Sequence, residues 1–417
     1  MRVHLTHLGC KLNQAEIERL GRDFEAAGHE LVPSLEGADL HVVNSCTVTQ
    51  AAARGSRKEA GRARRSGRPI RTVLTGCYAT GSPDEAAGVA GVDLVVPNAE
   101  KDRLVQLVQE AFPEMAAGPA VPCGAALPIG PTRALVKVED GCNMRCGFCI
   151  IPFTRGPQRS RPAPDVVAEV AARVREGYRE IVVTGVQISA YRWEGIRLAD
   201  LTRAILAETE VPRLRLTSIA PWDLDERLLD LWADRRLCRH LHLSLQSGST
   251  ATLRRMRRPY TAEGYLALLE RVRAAVPGVA ITTDVIVGFP GETEEEMAAS
   301  LATVEAAGFA KVHVFPYSSR PGTEAERLPG HVPPAEKKAR MEAMLAAAAR
   351  AERAFQSAHV GRRETVLWER PRDGMGHGLT DNYLRVFSPA GAALWNRFSE
   401  VDLLEVGAEG LVGRVAG

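Results

Sequence analysis

The chain has 417 residues, which is too long for one hydrophobic core of ordinary size, so we expect two or three domains. Its 45% hydrophobic and 25% charged residues are typical of a soluble globular protein, and a net charge of +2 excludes a polycation as a whole. The sequence has no run of 18 apolar residues and no signal-peptide core at its start. We therefore expect a cytoplasmic protein that does not span a membrane.

The first part of the chain, residues 1–118, alternates short apolar strands with helical segments. Strands are predicted over residues 3–10, 39–46, 71–77 and 92–97. Helices are predicted over residues 14–27, with Asn13 as the cap, over residues 50–65 and 101–112, and in a segment that begins at Pro83. Because strands and helices alternate, the pattern predicts a doubly wound parallel sheet.

Three of these strands end on a cysteine, at Cys10, Cys46 and Cys77. Open parallel sheets bind ligands at the carboxyl ends of their strands, so three thiols that are distant in sequence can converge there. Gly9 and Gly76 permit tight turns before two of them. Separate burial of three small residues is the alternative. The repeated strand-end position favours a metal cluster with three protein ligands.

A basic run lies between the second and third of these strands. Eight Lys or Arg residues occur between Arg54 and Arg71, against one acid, Glu59. Such a run is usually a solvated helix face, but its concentration also suits a phosphate backbone. The candidate RNA contacts are Arg57, Lys58, Arg62, Arg64 and Arg65.

A linker rich in Pro and Gly, residues 119–132, precedes the second part of the chain, residues 133–355. Early in this part, Cys142, Cys146 and Cys149 form a C-x₃-C-x₂-C triplet. Three thiolates on so short a loop can hold three corners of a cubane iron–sulfur cluster and leave the fourth iron free for a substrate. A zinc knuckle is the alternative, but no Cys or His follows soon enough to complete four ligands. Cys123 and Cys238 match no ligand spacing.

Strand and helix then repeat six times. The predicted strands are residues 134–139, 180–186, 214–219, 240–246, 280–288 and 311–317. The predicted helices are residues 165–176, 198–208, 224–233, 261–275, 292–307 and 334–355. Six such units predict a partial (β/α)₆ TIM-like barrel that is open on one side for a large substrate. The cysteine triplet follows the first strand, at the carboxyl face where barrels carry their chemistry.

The last part, residues 356–417, has strand patterns without a convincing helix. The predicted strands are residues 364–369, 383–387, 400–406 and 411–415. Short strands between Gly and Asp-Asn turns predict a small β-barrel.

The motifs together resemble the radical S-adenosylmethionine (SAM) methylthiotransferases over nearly the whole chain. They include Gly-Cys-Lys-Leu-Asn-Gln at residues 9–14, Asn-Ser-Cys-Thr-Val-Thr at 44–49, the triplet with Phe148 before its last cysteine, and Asp-Val-Ile-Val-Gly-Phe-Pro-Gly-Glu-Thr at 284–293. The last part resembles the TRAM domain, an RNA-binding barrel. The chain looks most like the bacterial branch that converts N6-threonylcarbamoyladenosine at tRNA position 37 to its 2-methylthio form.

Other functions stay open at this point. Relatives methylthiolate N6-isopentenyladenosine at the same tRNA position, or an aspartate of a ribosomal protein. A non-catalytic iron–sulfur protein that binds RNA and a radical SAM enzyme without sulfur transfer are further alternatives. One departure from the family is Ala220, where relatives usually have Glu.

The resemblance implies two 4Fe–4S clusters, with SAM as methyl donor and radical source. The loop triplet would hold the cluster that binds SAM, and Cys10, Cys46 and Cys77 the cluster that delivers sulfur. The residues expected near SAM are Phe148, Gly185, Gln187, Ile286 and Gly288. Arg155, Arg159 and Arg161 are candidates for contact with SAM carboxylate or tRNA phosphate, and a solvated surface position is the alternative. The implied partners are a tRNA anticodon stem-loop, an electron donor of the flavodoxin or ferredoxin type, and a sulfur donor.

Overall fold

The computed structural model describes residues 1–115 and 132–416. The predicted linker up to residue 131, with Cys123, lies outside the described residues. The chain divides into two compact units. The first comprises Met1–Gly130, Asp140–Gln158 and Ser318–Thr323, and the second comprises Pro131–Glu139, Arg159–Tyr317 and Glu324–Gly417. The loop that carries the second cysteine triplet therefore belongs to the first unit.

The first unit contains the predicted parallel sheet. Its strands are β1 (Arg2–His7), β2 (Glu30–Leu31), β3 (Leu40–Ser45), β4 (Arg71–Gly76) and β5 (Leu94–Val96). They are all parallel and lie in the order β2-β1-β3-β4-β5. The sequence missed only β2, which has two residues, too few to show a hydrophobic period.

The helices of the first unit follow the predicted pattern with local differences. They are α1 (Lys11–Ala26), α2 (Gln50–Ala60), α3 (Arg62–Arg65), α4 (Cys77–Gly81), α5 (Pro83–Ala87), α6 (Leu104–Ala111) and α7 (Ile151–Arg155). The predicted helix 50–65 is interrupted at Gly61, and the predicted helix 101–112 begins as a 3₁₀ turn before α6. Asn13 lies inside α1 and does not cap it, so that prediction was wrong.

The second unit contains the partial barrel. Its six parallel strands are Arg133–Lys137, Glu180–Thr184, Leu214–Leu216, His240–His242, Ala280–Val287 and Lys311–Pro316. They form two three-stranded sheets, and parallel bridges between Leu214 and Leu237 and between Ile219 and Leu243 connect these sheets. The strands therefore follow one another in chain order, as the six-fold repeat predicted. Two-residue strands occur at Glu139–Asp140, Arg159–Ser160, Arg192–Trp193 and Ile196–Arg197.

Helices alternate with the barrel strands. They are Ala163–Arg175, Leu198–Glu208, Thr250–Arg255, Ala262–Ala275, Glu294–Ala307, Glu324–Arg327 and Pro334–Ser357. A capping box starts Glu294–Ala307, because the Thr293 hydroxyl accepts from the Glu296 amide and the Glu296 carboxylate accepts from the Thr293 amide. The predicted helix 224–233 is a 3₁₀ helix, Glu226–Ala233.

A closed five-stranded barrel completes the second unit. Its strands are Arg363–Trp368, Gly376–Thr380, Arg385–Ser388, Phe398–Val406 and Leu411–Val415. The strand Gly376–Thr380 was missed because its two glycines indicate a turn. A side chain at Gly378 would collide with the Leu367 carbonyl, so glycine there permits close strand packing. No helix within residues 1–115 and 132–416 is long and apolar enough to cross a membrane.

Candidate functional site

The structure brings Cys10, Cys46 and Cys77 together at the carboxyl edge of the first unit's sheet. Strands β1, β3 and β4 are neighbours, and each cysteine stands just beyond one of them. Cys10 is the exposed N-cap of α1, Cys46 follows β3, and Cys77 is the first residue of α4. Cys10 and Cys77 both lie close enough to act electrostatically on Cys46. The three strand ends that carry these cysteines are therefore neighbours at one edge of the sheet.

Two glycines in left-handed backbone conformations make this arrangement possible. Gly9 has φ +93°, and a Cβ built on it would lie 2.6 Å from Cys46 Sγ. Gly76 has φ +96°, and a Cβ there would collide with the Ser45 carbonyl. Both positions thus require glycine, because a side chain would be strained and would occupy space next to the thiols.

Cys46 lies in a protected and rigid setting. Its amide donates to Ser56 Oγ at 2.9 Å, and the Ser56 hydroxyl donates back to the Cys46 carbonyl at 2.9 Å. Burial raises the pKa of the Cys46 thiol to about 11. At neutral pH this thiol holds its proton until a metal displaces it, so metal binding here would release protons.

A buried network of charged side chains lies against this edge. Arg155, six residues after Cys149, donates from Nη1 to Glu16 Oε1 at 2.8 Å and to Asp140 Oδ1 at 2.9 Å. Its Nη2 donates to Asn13 Oδ1 at 2.6 Å. The side chains of Arg155 and Glu16 are each 1% exposed, so this ion pair is almost dry.

Lys101 completes the network on the other side of Glu16. Its Nζ donates to Glu16 Oε2 at 2.7 Å and to Asn44 Oδ1 at 3.1 Å, and its side chain is 3% exposed. Asn44 is the penultimate residue of β3, two positions before Cys46. Burial lowers the pKa of Lys101, although the Glu16 carboxylate opposes that shift. Burial also acts to lower the pKa of Arg155. Glu16, Cys77 and Asp140 outweigh that effect and raise the pKa well above its ordinary value.

The network changes the interpretation of three residues. Arg155 was expected to contact SAM or tRNA, but it is buried and its guanidinium is engaged by Glu16, Asp140 and Asn13, so that prediction was wrong. Glu16 and Lys101 were missed entirely. The only sequence signal was the spacing of Asn13 and Glu16, which places both on one face of α1.

The loop triplet is half-buried and held by backbone hydrogen bonds. The Cys142 amide donates to the Gly156 carbonyl at 3.1 Å, and the Cys149 amide donates to the Cys146 carbonyl at 3.1 Å. The Met144 amide donates to Cys142 Sγ at 3.4 Å, the kind of contact that stabilises a thiolate. Helix α7 follows the loop, and its Thr154 carbonyl accepts from Asn98 Nδ2 at 2.8 Å. That amide also lies 3.9 Å from Cys77 Sγ.

Among the described residues, no three Cys, His, Asp or Glu side chains converge closely enough to hold a single metal ion. A cubane places its thiolates farther apart, because each sulfur binds a different iron. A set of three cysteines suits a 4Fe–4S cubane better than a structural zinc site, which closes with four ligands.

Two of the residues expected near SAM follow the second barrel strand. The Gln187 amide donates to Glu139 Oε2 at 2.9 Å, and Glu139 is fully buried. Gly185 leaves room for that carboxylate, since a Cβ there would collide with it. The hydrogen bond from Gln187 thus joins the segments after the first and second barrel strands, within the second unit. Gln187 itself is half-buried.

Two more of the expected SAM contacts lie at the end of the fifth barrel strand. Ile286 is half-buried and its amide donates to the Gln246 carbonyl at 2.8 Å. Gly288, at φ +69°, donates its amide to Glu292 Oε1 at 2.9 Å. Glu292 in turn pairs with Arg340 at 2.7 Å. Phe148 is half-buried on the cysteine loop of the first unit.

The five candidate RNA contacts are all exposed on α2 and α3. Arg62 pairs with Glu59 at 3.2 Å, and Arg57 lies 4.0 Å from Glu85. Surface pairs of this kind hold side chains weakly. Arg62 and Arg65 also line an open groove with Ser34, Leu35, Glu36 and Ser66.

Comparison with known proteins shows which family the chain belongs to. Residues 136–304 match the Radical SAM superfamily model, and residues 2–97 match the model described as Uncharacterized protein family UPF0004. The chain is 34% identical to the threonylcarbamoyladenosine tRNA methylthiotransferase MtaB of Bacillus subtilis, over 96% of this chain and 93% of that protein. The chain belongs to the radical SAM methylthiotransferase family. Membership makes it an enzyme that uses SAM and a 4Fe–4S cluster.

Other relatives carry a different name. The chain is 36% identical to the tRNA-2-methylthio-N(6)-dimethylallyladenosine synthase of Novosphingobium aromaticivorans, over 98% of this chain and 96% of that protein. Among solved structures, the radical SAM methyltransferase TsrM from Kitasatospora setae superposes with a TM-score of 0.57 at 16% identity, over 75% of this chain and 72% of that one. That likeness shows a shared fold.

Proposed function

We propose that this methylthiotransferase acts on tRNA and converts N6-threonylcarbamoyladenosine at position 37 to its 2-methylthio form. The observation that carries sulfur transfer is the meeting of Cys10, Cys46 and Cys77 at one sheet edge, in the same unit as a second cysteine triplet. The choice of substrate is supported by the similar proteins named MtaB, from Bacillus subtilis at 34% identity and Thermotoga maritima at 35%.

The two cysteine sets have separate roles in this proposal. Cys142, Cys146 and Cys149 hold the cluster that binds SAM, with Phe148 beside it. Cys10, Cys46 and Cys77 hold a second 4Fe–4S cluster. When bound, these groups supply one-electron cleavage of SAM, hydrogen removal from carbon 2 of the adenine, and the sulfur that is inserted there. The remaining SAM contacts are Gly185, Gln187, Ile286 and Gly288.

The protein's own residues bind, orient and exclude water. Burial of Cys46 and Cys77 shields two of the three thiols of the sulfur-carrying site from solvent, whereas Cys10 is exposed. Glu139 fixes the backbone of Gln187, so that the end of the second barrel strand is preorganised before SAM arrives. The exposed cations of α2 and α3 suit the phosphates of an anticodon stem-loop.

The remaining partners and boundaries belong to the same proposal. We place a methylthiotransferase N-terminal domain at 1–118, the radical SAM core at 133–355 and a TRAM barrel that binds RNA at 356–417. A flavodoxin- or ferredoxin-type protein supplies electrons and a separate donor replaces the sulfur. A tRNA substrate is consistent with a cytoplasmic location.

A second candidate substrate is N6-isopentenyladenosine at the same tRNA position. It is favoured by the similar proteins named dimethylallyladenosine synthases, which are as close to this chain as those named MtaB. Mass spectrometry of tRNA nucleosides from cells that lack this protein separates the two. Our proposal predicts loss of 2-methylthio-N6-threonylcarbamoyladenosine and its return with the intact gene.

Two other results of the mass spectrometry, and one result with purified protein, would contradict the proposal. Loss of the 2-methylthio-isopentenyl nucleoside alone would select the second candidate. An unchanged nucleoside profile would point to the ribosomal-protein branch. A purified protein that holds iron but makes no 5′-deoxyadenosine with SAM, reductant and tRNA would favour a non-catalytic RNA-binding role.

A further inference from the structure

The buried charges beside the strand-end cysteines suggest a function beyond stability. Burying two cations and their carboxylates is costly, and apolar residues of the same volume often stabilise a protein as well. Arg155, Lys101 and Glu16 are nevertheless each at most 3% exposed. Charged side chains that are buried this completely are therefore candidates for an electrostatic role.

Two short hydrogen-bonded connections link the network to the segment that carries Cys46. Lys101 bonds Asn44, two residues before Cys46. Arg155 bonds Asn13, whose Nδ2 donates to the Ser45 carbonyl at 2.9 Å, one residue before Cys46. Each cation is thus linked through one asparagine side chain to the end of β3 that leads to Cys46.

Charges near an iron–sulfur cluster affect its reduction potential. Reduction adds one negative charge to the cluster, and its potential depends on the surrounding charge, hydrogen bonds and solvent exposure. Ions in solution screen buried charges far less than exposed ones. Arg155 stays protonated at every pH at which the protein is folded, so its charge is permanent.

We propose that Arg155 and Lys101 are positioning cations that stabilise the reduced form of the strand-end cluster and so raise its reduction potential. Glu16, which lies between them, acts in the opposite direction. This inference rests on the proposed function, because it requires that Cys10, Cys46 and Cys77 hold a cluster.

The test uses the full chain with Cys142, Cys146 and Cys149 replaced by Ala, so that the strand-end cluster is the only redox centre. After anaerobic reconstitution, the cluster is titrated with dithionite and followed by electron paramagnetic resonance. Arg155→Gln and Lys101→Met should each lower the midpoint. At the parent's midpoint, the ratio of reduced to oxidised cluster should fall about tenfold, or about 59 mV for a one-electron couple.

The controls separate charge from packing. Glu16→Gln should shift the midpoint upward, whereas a purely structural effect would give shifts of one sign. Arg155→Lys, which keeps the charge, should restore most of the potential. Arg2→Gln removes an exposed ion pair with Asp39 at the opposite end of β1 and should change nothing.

Three results would overturn the inference or its basis. Unchanged midpoints in Arg155→Gln and Lys101→Met, or downward shifts in all three network variants, would refute the electrostatic role. If the Arg155→Gln variant does not hold iron, the midpoint potential of the Lys101→Met variant decides whether the electrostatic role stands. If the parent chain with only Cys10, Cys46 and Cys77 binds no cluster, the proposed function itself fails, which is a distinguishable outcome.

Discussion

Replacing Gly9 by alanine should remove the sulfur-carrying cluster without unfolding the protein. A methyl group at position 9 would lie 2.6 Å from Cys46 Sγ and 2.8 Å from Cys46 Cβ. That is about 1 Å inside ordinary van der Waals contact, so Cys46 must move. The backbone at φ +93° adds about 1–2 kcal/mol of strain for a residue with a Cβ.

Gly67→Ala is the matched control. Gly67 has φ +72°, which is also left-handed, but no atom lies within 4 Å of a Cβ built there. Both variants therefore carry similar backbone strain, and only Gly9→Ala displaces a thiol. Any difference between them in cluster content is due to the contact with Cys46.

The assay is iron and sulfide content after anaerobic reconstitution, together with product analysis. Gly67→Ala should keep about eight irons per chain, and Gly9→Ala should fall to about four, the content of one cubane. Gly9→Ala should still release 5′-deoxyadenosine from SAM while product sulfur disappears. Gly9→Ala with as much iron and product as Gly67→Ala would refute the reasoning.

Further predictions concern stability and RNA binding. Arg215→Met should cost about 3–5 kcal/mol in urea unfolding, since it leaves the fully buried Glu180 without its partner at 2.8 Å. Burial raises the pKa of Glu180, but Arg215, with Arg133 and Arg213, outweighs it and lowers the pKa from 4.5 to about 2. The ionised form of Glu180 therefore contributes about 3 kcal/mol of stability above pH 4.5, which is lost as the pH falls toward 2. Urea unfolding of the wild type across that pH range should show the loss. Arg57→Gln with Arg62→Gln should weaken tRNA binding and reduce its salt dependence by about one unit of slope per lost phosphate contact, whereas the exposed control Arg350→Gln should not.

The spacing of apolar residues along the sequence predicted much of the fold, and the cysteines at the strand ends predicted part of the site. The parallel sheet, the six-fold barrel repeat and the terminal barrel all follow from local patterns, because each strand is a short apolar run between turn residues. The position of cysteines after β1, β3 and β4 could be predicted for the same reason, since a parallel sheet gathers its carboxyl ends.

What the sequence could not predict depends on contacts between distant residues. Arg155 and Glu16 are 139 residues apart, and neither stands in a pattern that distinguishes a buried ion from a surface one. The strand Gly376–Thr380 was missed because glycine commonly indicates a turn, whereas close backbone packing requires it here. Ser318–Thr323 lies in the first unit, although the chain reaches it just after the sixth strand of the partial barrel, Lys311–Pro316. Its Arg320 donates to Thr47 Oγ1 at 2.7 Å, a contact that no local pattern indicates.

The central claim is that Cys10, Cys46 and Cys77 together deliver sulfur, separately from radical formation. The most direct measurement replaces all three by Ala and follows 5′-deoxyadenosine and the methylthiolated nucleoside in the same reaction with SAM, reductant and tRNA. We predict that 5′-deoxyadenosine still forms while the methylthiolated product is absent. Methylthiolated product at the wild-type level from this variant would contradict the account.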